Sequence, residues 1–213
     1  VNLTANIKHF NPSPLNLFGG KFATAAYSAH IVADFKGRDF NTADGSLTVD
    51  NFTMTSASGT YALDSLRIHA GNNTKGHFLT LNSDFATAEL TGRYDYGTLL
   101  QSVANALVKK LPSIQQLTSL KYRPVNGNDF AMKAEITRGD WLRQFFDMKI
   151  DLLAPMRIEG RMSNRSGQLF VNALMPDVVY NDGHYQYVSV VINSNETQFD
   201  ADLSLTKIGK NGV

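Results

Sequence analysis

The residues best suited to hold a metal or move a proton near neutral pH are five histidines, His9, His30, His69, His77 and His184. None stands in a recognisable metal-ligand spacing, and three of them, His30, His69 and His77, fall inside strand-like stretches. Asp84, Glu89, Glu135 and Glu159 are the candidates for a pair of carboxylates doing acid–base work on a glycosidic bond. Each alternates with apolar neighbours, as an outward-facing strand residue does. "SASGT", Ser56 to Thr60, comes nearest to a nucleophile loop and reads better as a hairpin turn. No G-x-S-x-G elbow, Walker loop or G-x-G-x-x-G motif occurs. Cysteine is absent, which removes thiolate catalysis, disulfides and thiolate-bound metals. The residues therefore predict a non-enzymatic chain with no metal and no cofactor.

The elements that would have to position any chemistry are strands. The chain is 43% hydrophobic and 18% charged, a balance that predicts a folded globular chain. Twenty basic residues against 19 acidic ones leave a net charge of +1, so no basic field exists to recruit nucleic acid. Apolar runs extend only a few residues, too short for a spanning helix. The chain starts at Val1 with neither an initiator Met nor a signal peptide. It reads as one β-rich segment, 1–213, of a longer chain, with its softest division at 113–128.

Period-two alternation recurs from "VNLTANIK" (Leu3, Ala5, Ile7) through "FATAAYSAHIVADF" (Tyr27, Ile31, Phe35) to "QFDADLSL" (Phe199, Leu203). In "GSLTVDNFTM" the apolar phase slips from Leu47 and Val49 to Phe52 and Met54, the mark of a β-bulge. Turn residues separate the runs: "ADG", "SASG", "GNNTKG", "NGND", "SNRSG", "NDG", "SNE". Ten or eleven short strands at regular spacing predict an antiparallel meander. Two helical stretches interrupt it. Thr98 to Leu111 carries Leu99, Val103, Leu107 and Leu111 four apart, has Lys109 and Lys110 in its last turn, and stops at Pro112. A shorter helix spans Trp141 to Asp147, with Asp140 as its N-cap. One further turn is expected within Asn11 to Phe18. The apolar strand faces either bury each other in a closed sandwich or line a groove for something apolar, since both require the same alternation.

From Asp64 onward the wording resembles a known family. "DSLRIHA" (Asp64 to Ala70), "SDFATAELTGRYDY" (Ser83 to Tyr96), the helix ending at Leu111-Pro112, "WLRQFF" and "RIEGRMSNRSGQLFVNALMPDVVYNDGHYQYVSVVINSN" are similar to the TamB-like translocation and assembly module proteins of the AsmA superfamily. That resemblance implies a mainly β fold, an antiparallel meander curled into an open, taco-like groove with an apolar interior and one or two amphipathic helices inserted. It further implies a periplasmic segment of a parent protein anchored in the inner membrane of a Gram-negative envelope. The implied work is movement of phospholipid or other acyl chains between membranes, assembly of outer-membrane proteins, or both, with an Omp85-class outer-membrane partner. No catalytic residues come with the family.

On that view the groove candidates are Leu47, Val49, Phe52, Met54, Leu66, Ile68, Leu79, Leu81, Leu90, Phe130, Met132, Ile136, Leu169, Val171, Val188, Val190, Phe199 and Leu203. Leu99, Val103, Leu107 and Leu111 become the stripe of a groove-covering helix. The alternative is a β-sandwich that binds carbohydrate or a protein partner, for which Tyr185 and Tyr187, opposite Val188 and Val190, are the candidate contacts.

Overall fold

Period-two alternation becomes backbone pairing along almost the whole chain. A computed structural model describes residues 1–15, 20–57, 59–111, 121–125 and 127–209. Twelve antiparallel strands make one open sheet. They are β1 (Asn2–Phe10), β2 (Ala26–Lys36), β3 (Asp44–Ser56), β4 (Gly59–Asn73), β5 (Gly76–Ser83), β6 (Ala86–Arg93), β7 (Asp129–Ile136), β8 (Ile150–Leu152), β9 (Met156–Ser163), β10 (Gln168–Tyr180), β11 (Gly183–Ser194) and β12 (Phe199–Ile208). Helix α1 (Leu99–Lys110) lies between β6 and β7, and α2 (Asp140–Phe146) between β7 and β8. Among the described residues there is no second sheet to make a sandwich.

Neighbours in sequence are neighbours in the sheet, except that β7 pairs directly with β9. β8, too short to register as an alternating stretch, pairs with the far end of β10, where Leu152 opposes Val178. β9 takes up the same side of β10 at Arg157, opposite Leu174. The two thus form one interrupted strand. Between them Leu153 and Ala154 both donate to the Asp177 carbonyl, and Pro155, which has no N–H to give, resumes the chain.

The turns follow their residue chemistry. Asn181 and Asp182, at φ 45° and 66°, make the two-residue link between Tyr180 and Gly183, the twist-matched turn that suits a tight hairpin. In "SASG", Ser56 on β3 stands opposite Gly59 on β4, and Ser58 lies outside the described residues. "ADG", in contrast, is not a turn. Asp44 and Gly45 already pair with Lys36 and Phe35, and the reversal is made just before them by a 3-10 turn at Phe40–Thr42, capped reciprocally by Asp39 and Thr42. The expected bulge occurs where the phase slips: the β2–β3 register shifts between Ser28 and His30, opposite Asp50 to Thr53, and Asn51 takes φ 53°.

α2 begins after an N-cap at Gly139 rather than Asp140. Asp140 is the first helical residue, and its carboxylate is engaged by Arg138 at 2.7 Å. The turn sought within Asn11 to Phe18 is a 3-10 turn at Ser13–Leu15, and 16–19 lie outside the described residues, as do Pro112 and most of 113–128.

The tightly packed core sits at one end of the sheet. Ala25, Met54, Tyr61 and Leu63 are its sealed centre, flanked by Phe22, Tyr27, Phe52, Leu66, Phe85, Trp141 and Phe145. α2 doubles back over this end: Phe145 stacks on Phe22 at 5.9 Å and meets Tyr61 edge-on at 5.1 Å, while Trp141 packs on Phe85 at 5.4 Å.

Candidate functional site

Strand register assembles the apolar positions into continuous rows. Leu3, Ala33, Leu47, Ile68, Leu81, Ala88, Ala134, Ile158, Ala173, Val190 and Leu203 stand opposite one another in turn, without a polar interruption. A second row runs beside it: Ala70, Leu79, Leu90, Met132, Gly160, Val171, Ile192 and Ala201. Ile31, Val49 and Leu66 make a third, toward the α2 end. Alternation puts the remaining residues on the other face. Asp34, Ser46, His69, Thr80, Glu89, Lys133, Glu159 and Asn172 form a polar row there from β2 to β10, and Val191 interrupts it on β11.

The other groove candidates fall at the two ends of these rows. Phe52 and Met54 lie at the α2 end, as does Ile136, which pairs with Ala86 and Met156. Phe130 and Leu169 flank Met162 at the opposite end, and Phe199 pairs with Ser194 there. Met54, Leu169 and Val188 are sealed, at 1%, 3% and 7% exposure, so they are packing residues. Leu47, Ile68, Leu79, Leu81, Leu90, Met132, Val171 and Val190 are only half-buried, and Leu203, on β12, is exposed. The middle of the apolar face thus carries much less cover than the α2 end.

Beneath α2 the face deepens into an apolar pocket of about 440 Å³, lined by Ile31, Val49, Phe52, Tyr61, Leu63, Leu66, Phe85, Trp141 and Phe145. Six of these, Ile31, Tyr61, Leu63, Phe85, Trp141 and Phe145, lay outside the groove candidates. The i, i+4 pair Trp141 and Phe145 was the available signal, since it puts two large rings on one side of a short helix. Burial pushes the Tyr61 phenol up to about 12, with the nearby Asp140 carboxylate adding to it. Arg138 holds α2 in place. Its guanidinium donates to Asp84 Oδ2 at 2.5 Å, to Asp140 Oδ2 at 2.7 Å and to the Ala62 carbonyl at 3.3 Å, while its own carbonyl accepts from Trp141 Nε1 at 2.8 Å.

α1 sits at the opposite end of the strands. Its predicted stripe, Leu99, Val103, Leu107 and Leu111, is half-buried, and Leu100 is 87% exposed. The sealed positions are Ser102, Ala104 and Val108. Ser102 has no apolar signature. It is buried because Asn128, itself 1% exposed, donates to Ser102 Oγ and Thr98 Oγ1 and accepts from the Asp95 N–H. Gln101 and Asn105 bind the carbonyls of Lys121 and Arg123, fixing the returning chain against the helix.

The chemistry candidates disperse. His30 bonds Asn6 at 2.7 Å, His184 bonds Asp177 at 2.6 Å, and His69 and His77 pack against Phe78 and Tyr94. Among the described residues no three His, Asp or Glu side chains gather as a metal site. Glu135 pairs with Arg157 at 3.0 Å and Glu159 with Lys133 at 3.4 Å, both on the polar face with Glu89. Asp84 is not a strand residue but lies in the β5–β6 turn, drawn there by Arg138. Tyr187 is 70% exposed beside a bulge, where its φ is 53° and the β11–β12 register shifts. Tyr185 packs toward Gly183, and among the described residues no ring contact joins the two tyrosines. No helix among the described residues is long and apolar enough to cross a membrane. No protein-family model, curated protein or solved structure matches the chain.

Proposed function

We propose that this chain is a non-enzymatic segment of an envelope protein of the TamB-like kind, whose apolar sheet face forms a groove for acyl chains. In this reading the sheet curls about its apolar face into an open, taco-like trough in the periplasm. Phospholipid moves along it between inner and outer membranes, within a parent chain that engages an Omp85-class outer-membrane protein. The observation that carries the reading is the unbroken apolar row from Leu3 to Leu203, backed by a polar row from Asp34 to Asn172 and half-buried along its middle. Each methylene laid on such a face recovers ~0.8 kcal/mol, so a long chain is held well in total. Sliding by one strand exchanges one aliphatic side chain for another and changes little energy. The same sheet supports assembly of outer-membrane strands, because β1 and β12 are its outer strands and an extended peptide can pair with such an edge.

The test is lipid retention. Extraction of the purified protein followed by mass spectrometry is expected to yield phospholipid or fatty acid. Leu81→Asp and Ile158→Asp, each placing a charge in the middle row, are expected to abolish retention while leaving the circular dichroism of the sheet unchanged. Absence of lipid from the wild-type protein, or retention unchanged in both variants, would refute the reading.

A further inference from the structure

The rows of the apolar face are half-buried along their middle, so a chain lying on them keeps one side in water. The pocket beneath α2 is different. The rings of Phe85, Trp141 and Phe145 join Ile31, Val49 and Leu66 around about 440 Å³, within the ~300–1,000 Å³ of small-molecule sites. Of the lining side chains only Tyr61 and Trp141 carry a polar atom, and Trp141 Nε1 already donates to the Arg138 carbonyl at 2.8 Å. Such a lining gives water few partners. No charged residue lines the pocket, and the neighbouring Arg138 guanidinium is committed to Asp84, Asp140 and the Ala62 carbonyl. The pocket thus has no cation for a carboxylate or phosphate, and the polar end of an amphiphile stays outside.

The pocket is continuous with the rows. Val49 opposes Leu66 across β3 and β4, and two residues further along the same strands Leu47 opposes Ile68. Alternation keeps all four on one face. Leu47 and Ile68 are half-buried members of the longest apolar row. A long, thin apolar ligand can therefore begin in the pocket and continue along β3 and β4, where the next apolar pair lies about 7 Å on. A compact apolar molecule, or one aromatic side chain of a partner, would use the pocket and leave the rows bare.

Resting on the acyl-groove reading above, we propose that the pocket under α2 is a stopping site on the apolar face, which takes the methyl end of one acyl chain while the rest of that chain lies on Leu47 and Ile68. Along the open rows sliding changes little energy, but a chain end that reaches Trp141 and Phe145 is enclosed by rings and leaves more slowly. α2 thereby gives the face one place where a lipid waits.

Trp141, the single tryptophan of the chain, reports on this site. The probes are a phosphatidylcholine and hexadecanoic acid, each brominated either near the methyl end of the chain or near its carbonyl end, since bromine quenches tryptophan fluorescence at short range. Methyl-end bromine is expected to quench Trp141 saturably and severalfold more than carbonyl-end bromine. Quenching by the phosphatidylcholine assigns the chain to a phospholipid, and quenching by the acid alone assigns it to a free fatty acid. Val49→Phe, which puts a ring into the pocket, is expected to weaken this binding about tenfold. Leu90→Phe, on the second row outside the pocket, is expected to leave it as in the wild type. The gradient needs no variant, so it decides the matter even where Val49→Phe does not fold. Lipid retained by mass spectrometry together with a flat or reversed gradient overturns the stopping site and leaves the groove reading standing. Quenching unchanged in folded Val49→Phe, or lost equally in both variants, overturns it too. Wild-type protein that binds neither probe and retains no lipid refutes the groove reading itself.

Discussion

Leu63→Ala and Leu81→Ala delete the same atoms from one sheet in two environments. Leu63 is 6% exposed, between Met54, Tyr61 and the α2 rings, whereas Leu81 stands half-buried between Ile68 and Ala88 on the middle of the apolar face. At Leu63 the loss combines the transfer term with a cavity that the aromatic cluster only partly refills, for which Leu→Ala costs about 2–5 kcal/mol. At Leu81 the face is open above the side chain, so no closed cavity forms. About half the transfer value of a fully buried leucine is lost, ~1 kcal/mol. Urea unfolding followed by circular dichroism measures both: the midpoint is expected to fall in each variant with an unchanged slope, and by at least twice as much for Leu63→Ala. Equal losses would mean that the middle of the face is as tightly packed as the α2 end, and the argument for an accessible face would fail.

Arg138→Met removes the ion pairs to Asp84 and Asp140 and the bond to the Ala62 carbonyl, leaving a largely buried carboxylate unpaired. It is expected to cost about 1–3 kcal/mol and to shift Trp141 emission to the red as α2 loosens. Asn128→Ala strips partners from Thr98, Ser102 and the Asp95 N–H, and is expected to lower hydrogen-exchange protection of α1 while β3 and β4 keep theirs. Hydrogen bonds from His184 and then Gln186 hold the Asp177 carboxyl below its usual value. A lowered folded value means that its contribution to stability is complete above about pH 3.8 and is lost as pH falls further through the folded value. Carboxyl titration by NMR is therefore expected to show Asp177 moving up toward 3.8 in His184→Ala. The Tyr61 phenol is displaced in the opposite direction, so its contribution is complete below pH 10 and declines toward about 12, and Tyr61→Phe is expected to make stability less alkali-sensitive across that interval.

Much of this architecture is legible in single stretches. The alternation in "SLRIHA", "GHFLTLNS" and "DFAMKAEI" is a property of extended backbone, where successive side chains point to opposite faces whatever the partner strand. Leu66, Ile68, Leu79, Leu81 and Met132 consequently occupy the apolar face that their spacing requires. The bulge near Asn51 is equally local, since a one-residue phase slip must be absorbed where it occurs. α1 is legible as a helix, because four-residue spacing and a basic last turn are local too, but its buried side is not. Ser102 is sealed by an asparagine that arrives after the chain has turned back, and no property of the helix announces that.

Tertiary structure decided which strands meet and what lies over them. β8 is three residues long and owes its strand geometry to the free length of β10 beyond β9, not to its own composition. The pocket needs Phe85 from a turn, Tyr61 from β4 and Trp141 and Phe145 from α2, brought together by an ion pair between Arg138 and the distant Asp84. By itself the amino-acid sequence determined a sheet with one apolar and one polar face, because that division follows from the period of the backbone. Only the folded chain decided that the apolar face is closely covered toward both ends, at Met54 and at Met162 and Leu169, and half-covered in the middle, because cover depends on contacts between residues far apart in sequence.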